Sequence, residues 1–206
     1  MGIYLNSDDT DFRSAVKYSR IYVDKTELIR YTNSVLFGEQ KYICVSRPRR
    51  FGKSMAANML TAYYSRGCDS RGLFQGLKIA THPDFEKHLN QYNVIHLNMR
   101  DYLTESENMK QLIQFVEDDL LDELQQEFSD LRMPRRKTLV KVLEQAFVQY
   151  KIPFVFIIDE WDCIFRVHKS DAVSQKDYLD FLRNLLKDKS YIALAYMTGI
   201  LPIKKY

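Results

Sequence analysis

Arg47-Pro48-Arg49-Arg50-Phe51-Gly52-Lys53-Ser54 ends in a Gly-Lys-Ser triplet between the apolar run Tyr42-Ile43-Cys44-Val45 and a helical pattern through Met55, Met59, Leu60 and Tyr63. A strand, a turn and a helix start in that order are what a phosphate cradle needs. Backbone N–H groups wrap the anion, and the positive end of the helix faces it. In such a cradle Lys53 reaches the β- and γ-phosphates and Ser54 offers its hydroxyl to Mg²⁺. Residues 47–55, from Arg47 to Met55, are therefore the candidate nucleotide-binding segment.

The full spacing G-x-x-x-x-G-K-[ST] calls for a glycine at position 47, where this chain has Arg47. Two accounts stand. Arg47 prevents the tight wrap, or Pro48 fixes φ and Arg47, Arg49, Arg50 and Lys53 supply compensating charge. A second element favours the compensated loop. Phe154-Val155-Phe156-Ile157-Ile158 reads as a strand buried on both faces, and it delivers Asp159-Glu160 at its C-terminal end. An open α/β sheet binds its ligand at that end. Asp159 would complete the oxygen shell that Ser54 begins, and Glu160 would polarise a water for in-line attack. A third element is Thr198, at the end of the next strand. It either contacts the attacking water or the γ-phosphate, or it merely starts a turn before Gly199; the sequence leaves both open.

Other segments supply the scaffold. Val94 to Met99 and Tyr191 to Met197 read as further strands. Met109, Leu112, Ile113, Val116, Leu120, Leu124 and Phe128 form the apolar stripe of a long helix, and Leu139 to Tyr150 and Tyr178 to Leu185 carry two more. Gly67, Gly72 and Gly76 mark turns. From Glu105 to Asp130 nine acids face one base, Lys110, a pattern that reads as solvated surface. Pro83-Asp84-Phe85-Glu86-Lys87 reads as a helix start, its acids too close together to surround one metal. Strands alternating with helices predict an α/β fold with an open, mainly parallel sheet flanked by helices.

Composition narrows the class. The chain has 206 residues, 46% hydrophobic and 28% charged, enough for one sizeable core. A net charge of +3 does not argue for nucleic acid. Cys44, Cys68 and Cys163 are odd in number and unevenly spaced, as in reduced thiols, and the four histidines show no zinc spacing with them. No secretory pattern or membrane-length apolar run is visible, so a cytoplasmic protein without membrane association is expected.

Five segments in order also resemble a known family: Tyr22-Val23-Asp24-Lys25-Thr26, Ser46 to Ser54, Leu73 to Ile79, Ile157 to Asp162, and Tyr196 to Ile203. Together they are similar to the predicted AAA-ATPase-like family of prokaryotes, whose loop also lacks the first glycine. The resemblance implies a P-loop NTPase fold of the ASCE type, the class with an added catalytic glutamate, and ATP with Mg²⁺ as cofactors. Carried over by position, Gly52, Lys53 and Ser54 match the phosphate loop, Asp159 the metal carboxylate and Glu160 the catalytic acid. Trp161 stands where the family more often has tyrosine.

The expected organisation is an N-terminal extension, 1–40, packing on an ATPase core, 41–206. Relatives often continue into a PD-(D/E)XK nuclease-like domain, so the core is expected to be truncated before its lid. Contact with nucleic acid is expected only through that missing domain. The expected partners are a nucleotide and, through an open sheet edge, a further copy of the chain. The expected function is slow ATP hydrolysis, with Lys53, Glu160 and Thr198 as the catalytic set, driving a conformational change. The alternative is a switch or scaffold that binds ATP without useful turnover. Arg166 and Arg183 either face the site or, as charged helix positions usually do, stand as surface charges.

Overall fold

The apolar runs alternate with helical segments, and parallel strands joined by helices are what such a chain can form with short connections. In the computed structural model, which describes residues 2–201, strands β1 (Tyr42–Ser46), β2 (Asn93–Asn98), β3 (Phe154–Asp159) and β4 (Ile192–Gly199) build one all-parallel sheet. Their order is β1-β4-β3-β2. The strand that leads into the loop and the strand that ends in Asp159 are thus separated by β4.

Ten helices flank the sheet among the described residues: α1 (Thr10–Tyr18), α2 (Glu27–Val35), α3 (Lys53–Tyr64), α4 (Arg71–Phe74), α5 (Phe85–His88), α6 (Met99–Glu105), α7 (Met109–Glu127), α8 (Leu139–Tyr150), α9 (Cys163–Val167) and α10 (Ala172–Leu186). Two cores result. Phe154, Phe156 and Ile158 join the core with α7, α8 and α10, while Val155 and Ile157 join the core with α2 and α3. This alternation explains why β3 is buried at every position. In β4 the alternation breaks at Ala193, where the register with β3 slips by one residue; Ala193 and Leu194 then share a core. The carbonyl of Ala193 accepts the Phe37 N–H at 3.0 Å.

The outer edge of β2 is covered by the N-terminal residues. Asn6 N–H donates to Val94 O at 2.7 Å, and His96 N–H donates to Tyr4 O at 2.8 Å. Glu123 of α7 fixes this segment by accepting the N–H groups of Ile3 and Leu5, each at 2.6 Å, and of Tyr4 at 3.0 Å. At the opposite edge β1 pairs only with β4 among the described residues. Among those residues no helix is long and apolar enough to cross a membrane.

Two local expectations are corrected, and one helix is added. The strand expected through Met99 ends at Asn98, because the Asn98 side chain accepts Arg100 N–H at 3.1 Å and caps α6. Gly72 lies inside α4 rather than in a turn. Residues 10–18 form a helix of their own, α1, whose Phe12 and Ala15 are buried. Pro202 and Ile203, part of the last family-like segment, lie outside the described residues.

Candidate functional site

The loop begins where β1 leaves the sheet. Arg47 N–H still donates to Gly199 O at 3.1 Å, continuing the β1–β4 ladder by one residue. No left-handed residue is recorded at 47; the left-handed positions come later, at Arg50 (φ 69°) and Gly52 (φ 74°). An arginine is therefore compatible with position 47, and the tight part of the turn is confined to 50–52. Gly52 precedes α3 in left-handed conformation, which costs a residue with a side chain about 1–2 kcal/mol. A Cβ there would also lie 2.8 Å from Lys25 Nζ. That ammonium donates to Phe51 O at 2.7 Å and clasps the turn from outside.

Lys53 is buried, and its Nζ donates to Pro48 O at 3.2 Å, which folds the loop back over the start of α3. The first-turn N–H groups of α3 have no carbonyl within the helix to reach, and no side chain caps them. They open on a cavity of about 310 Å³ lined by Arg49, Arg50, Gly52, Lys53, Ser54, Met55, Arg100 and Glu160. Four cations and one carboxylate thus face one space at a helix N-terminus. Arg47, Pro48 and Phe51 are exposed and do not line it.

The far wall comes from β3 and β4. Asp159, only 4% exposed, closes β3, and its Oδ1 accepts Glu160 N–H at 2.9 Å and the Thr198 hydroxyl. Because β4 lies between β1 and β3, fully buried Thr198 sits beside Val45 on one side and near Asp159 on the other. Its hydroxyl proton is committed to the carboxylate. Glu160 turns out of the strand at φ 53° and lines the cavity. Its Oε2 accepts from Arg166 Nη2, which also lies 3.3 Å from Asp162 Oδ1. Arg166 is therefore no surface charge: its side chain is 18% exposed. Arg183 is, at 65%, paired with Asp180.

Five further residues hold or complete the site. Asp162 is fully buried, and its Oδ2 accepts the N–H groups of Ile200 at 2.8 Å and Leu201 at 2.6 Å. A Cβ on Gly199 would come within 2.8 Å of Asp162 Cγ, so only glycine lets the end of β4 pass this close. Asp24 Oδ1 accepts Thr26 N–H and hydroxyl, Asp24 Oδ2 accepts Lys78 N–H at 2.9 Å, and Thr26 Oγ1 accepts Ile79 N–H at 3.1 Å. Burial raises the Asp24 carboxyl, but these donors outweigh it and hold it below the usual range. This tie fixes the base from which Lys25 reaches the loop. Arg100 enters the cavity from the end of β2, a position the strand-end rule for open sheets marks in advance.

The residues present fit a magnesium-bound triphosphate. A buried lysine with donors to spare and the free N–H groups of α3 suit phosphate oxygens. Ser54 lines the cavity and Asp159 stands one residue behind its wall. Among the described residues no group of three or more His, Cys, Asp or Glu side chains is arranged to hold a metal ion by itself. One hydroxyl and one carboxylate suit a hard cation that brings most of its shell as water and phosphate oxygen, as Mg²⁺ does.

No curated protein matches the chain. A family model described as predicted AAA-ATPase matches residues 9–206, nearly its whole length. The loop, the acid-ended strand and the parallel sheet that joins them agree with that match, and the chain belongs to the AAA-ATPase-like family.

Proposed function

We propose that the protein binds ATP with Mg²⁺ in this cavity and hydrolyses it slowly, using the cycle to drive a conformational change. The observation that carries the reading is the convergence of the loop residues Arg49, Arg50 and Gly52 to Met55 with Glu160, the residue next to Asp159, on one cation-lined space at a helix N-terminus. The placement of β4 between the loop strand and the acid strand supports the ASCE type, in which the glutamate after the metal carboxylate acts as base.

Roles follow from position. Lys53, Arg49, Arg50 and the α3 N–H groups neutralise the phosphates, and Arg100 faces them from β2. Met55 lines the wall, while Arg47, Pro48 and Phe51 shape the loop from outside. Ser54 and Asp159 would hold Mg²⁺, which would supply charge neutralisation to the phosphates. Thr198 orients Asp159 by donating to Oδ1. Glu160 accepts the proton of the attacking water through the oxygen that Arg166 leaves free. Turnover on the order of 10⁻⁴ to 10⁻² s⁻¹ is expected, the range of P-loop hydrolases that act without an arginine supplied by a partner protein.

The Glu160–Arg166 pair also favours a second reading, a nucleotide-sensing switch that binds ATP with no useful turnover. Single-turnover assays of Glu160→Gln decide between them. A hydrolase loses most of its rate; a rate equal to that of the unaltered chain leaves the switch.

A further inference from the structure

Glu160 is the carboxylate that must take up a proton, yet a guanidinium occupies one of its oxygens. A carboxylate tied to a guanidinium is fixed in place and has one oxygen fewer to turn toward an attacking water. Glu160 lines the cavity and Arg166 does not, so the guanidinium holds the carboxylate from outside the space where a γ-phosphate would sit. The pose also strands a donor. Arg166 Nε is buried with no hydrogen-bond partner, a state that ordinarily costs about 1–3 kcal/mol. An arrangement stabilised by one ion pair and weakened by one orphaned N–H is suited to having two positions.

The same guanidinium reaches Asp162 at 3.3 Å, and Asp162 holds the N–H groups of Ile200 and Leu201. Two side chains, Asp162 and Arg166, therefore connect the backbone leaving β4 to the candidate base. Resting on the ATPase reading, we propose that Arg166 is a brake: it restrains Glu160 in the structure described here, and displacement of the 200–201 turn, transmitted through Asp162, releases it. Arg166 is on this view a positioning residue that acts only through Glu160.

The test is steady-state ATP hydrolysis by Arg166→Gln, Arg166→Lys, Glu160→Gln and the Glu160→Gln/Arg166→Gln double variant, with ATP affinity measured by calorimetry. Arg166→Gln is expected to raise kcat roughly 3-fold or more, the weaker end of couplings between residues in contact, with KM unchanged. Arg166→Lys, which cannot fork between two acids, should give a smaller rise, and it carries the test if the glutamine variant does not fold. In the Glu160→Gln background the same change should have no effect, a silence that a merely structural arginine would not produce. A kcat that falls or stays level while ATP still binds overturns the brake alone. Absence of ATP binding by the unaltered chain overturns the ATPase reading and the brake together.

Discussion

Thr198→Val removes one hydroxyl and changes almost nothing else, because valine fills the same volume. The hydroxyl donates to a carboxylate that is 4% exposed, and Thr198 itself is fully buried. A hydrogen bond to a charged partner contributes about 1.5–3 kcal/mol. Asp159 Oδ1 keeps the Glu160 N–H at 2.9 Å, so the loss should sit in the lower half of that range, about 1.5–2 kcal/mol. For a chain of this size each kcal/mol moves Tm by about 2–4 °C, which predicts a fall of about 3–8 °C by calorimetry or circular dichroism. Nucleotide titrations with and without Mg²⁺ supply the second readout. Valine should weaken the contribution of Mg²⁺ to affinity, since Asp159 loses one of the two groups that orient it. Thr198→Ser keeps the donor and should keep that contribution, although it gives up one buried methyl, about 0.8 kcal/mol. A valine variant as stable as the parent, or a serine variant that matches valine in its Mg²⁺ response, would refute the assignment of this hydroxyl to Asp159.

Gly52→Ala places a side chain at φ 74° and a Cβ 2.8 Å from Lys25 Nζ, so about 1–2 kcal/mol of stability and much of the nucleotide affinity should go, as read by urea unfolding and calorimetry. Lys25→Met frees the Phe51 carbonyl without that backbone cost; it should weaken ATP binding and barely move Tm. Burial lowers His96 below the ordinary imidazole range against the opposing pull of Asp159 and Asp11, and burial lowers His88 likewise. As pH falls through about 6.5 the unfolded chain takes up these protons first, so stability declines from neutral pH toward the lower folded values; His96→Gln should flatten the slope in urea melts near pH 7 and pH 5.5.

Legibility in the sequence followed the range over which each contact acts. Phe154 to Ile158 is apolar without interruption, because both faces of β3 carry a core, and such a run reads directly as a central strand. Gly52 was equally plain, since a left-handed position beside a lysine leaves few alternatives. The end of β2 is hidden in the apolar run because the Asn98 side chain competes locally for the backbone and starts a helix at Met99. The sequence alone does not separate Arg166 from a surface charge, because no pattern on α9 announces which acid it pairs with; only the turn of Glu160 out of β3 brings the two together. Lys25 reaches a carbonyl 26 residues away, and Glu123 reaches amides roughly 120 residues away. Contacts of that span depend on the fold and leave no periodicity to find. Arg100 is the exception, since its place just past a parallel strand was there to be used.

The central claim, a magnesium-bound triphosphate between Lys53 and the Asp159–Glu160 edge, is tested most directly by titrating ATP into the 206-residue chain and its Lys53→Ala variant, with and without Mg²⁺. Saturable binding that Mg²⁺ strengthens, and that the alanine variant weakens about tenfold or more, is the expected result, since one charged hydrogen bond to phosphate is lost. Heat effects indistinguishable from dilution, or equal affinity in the two proteins, would contradict it.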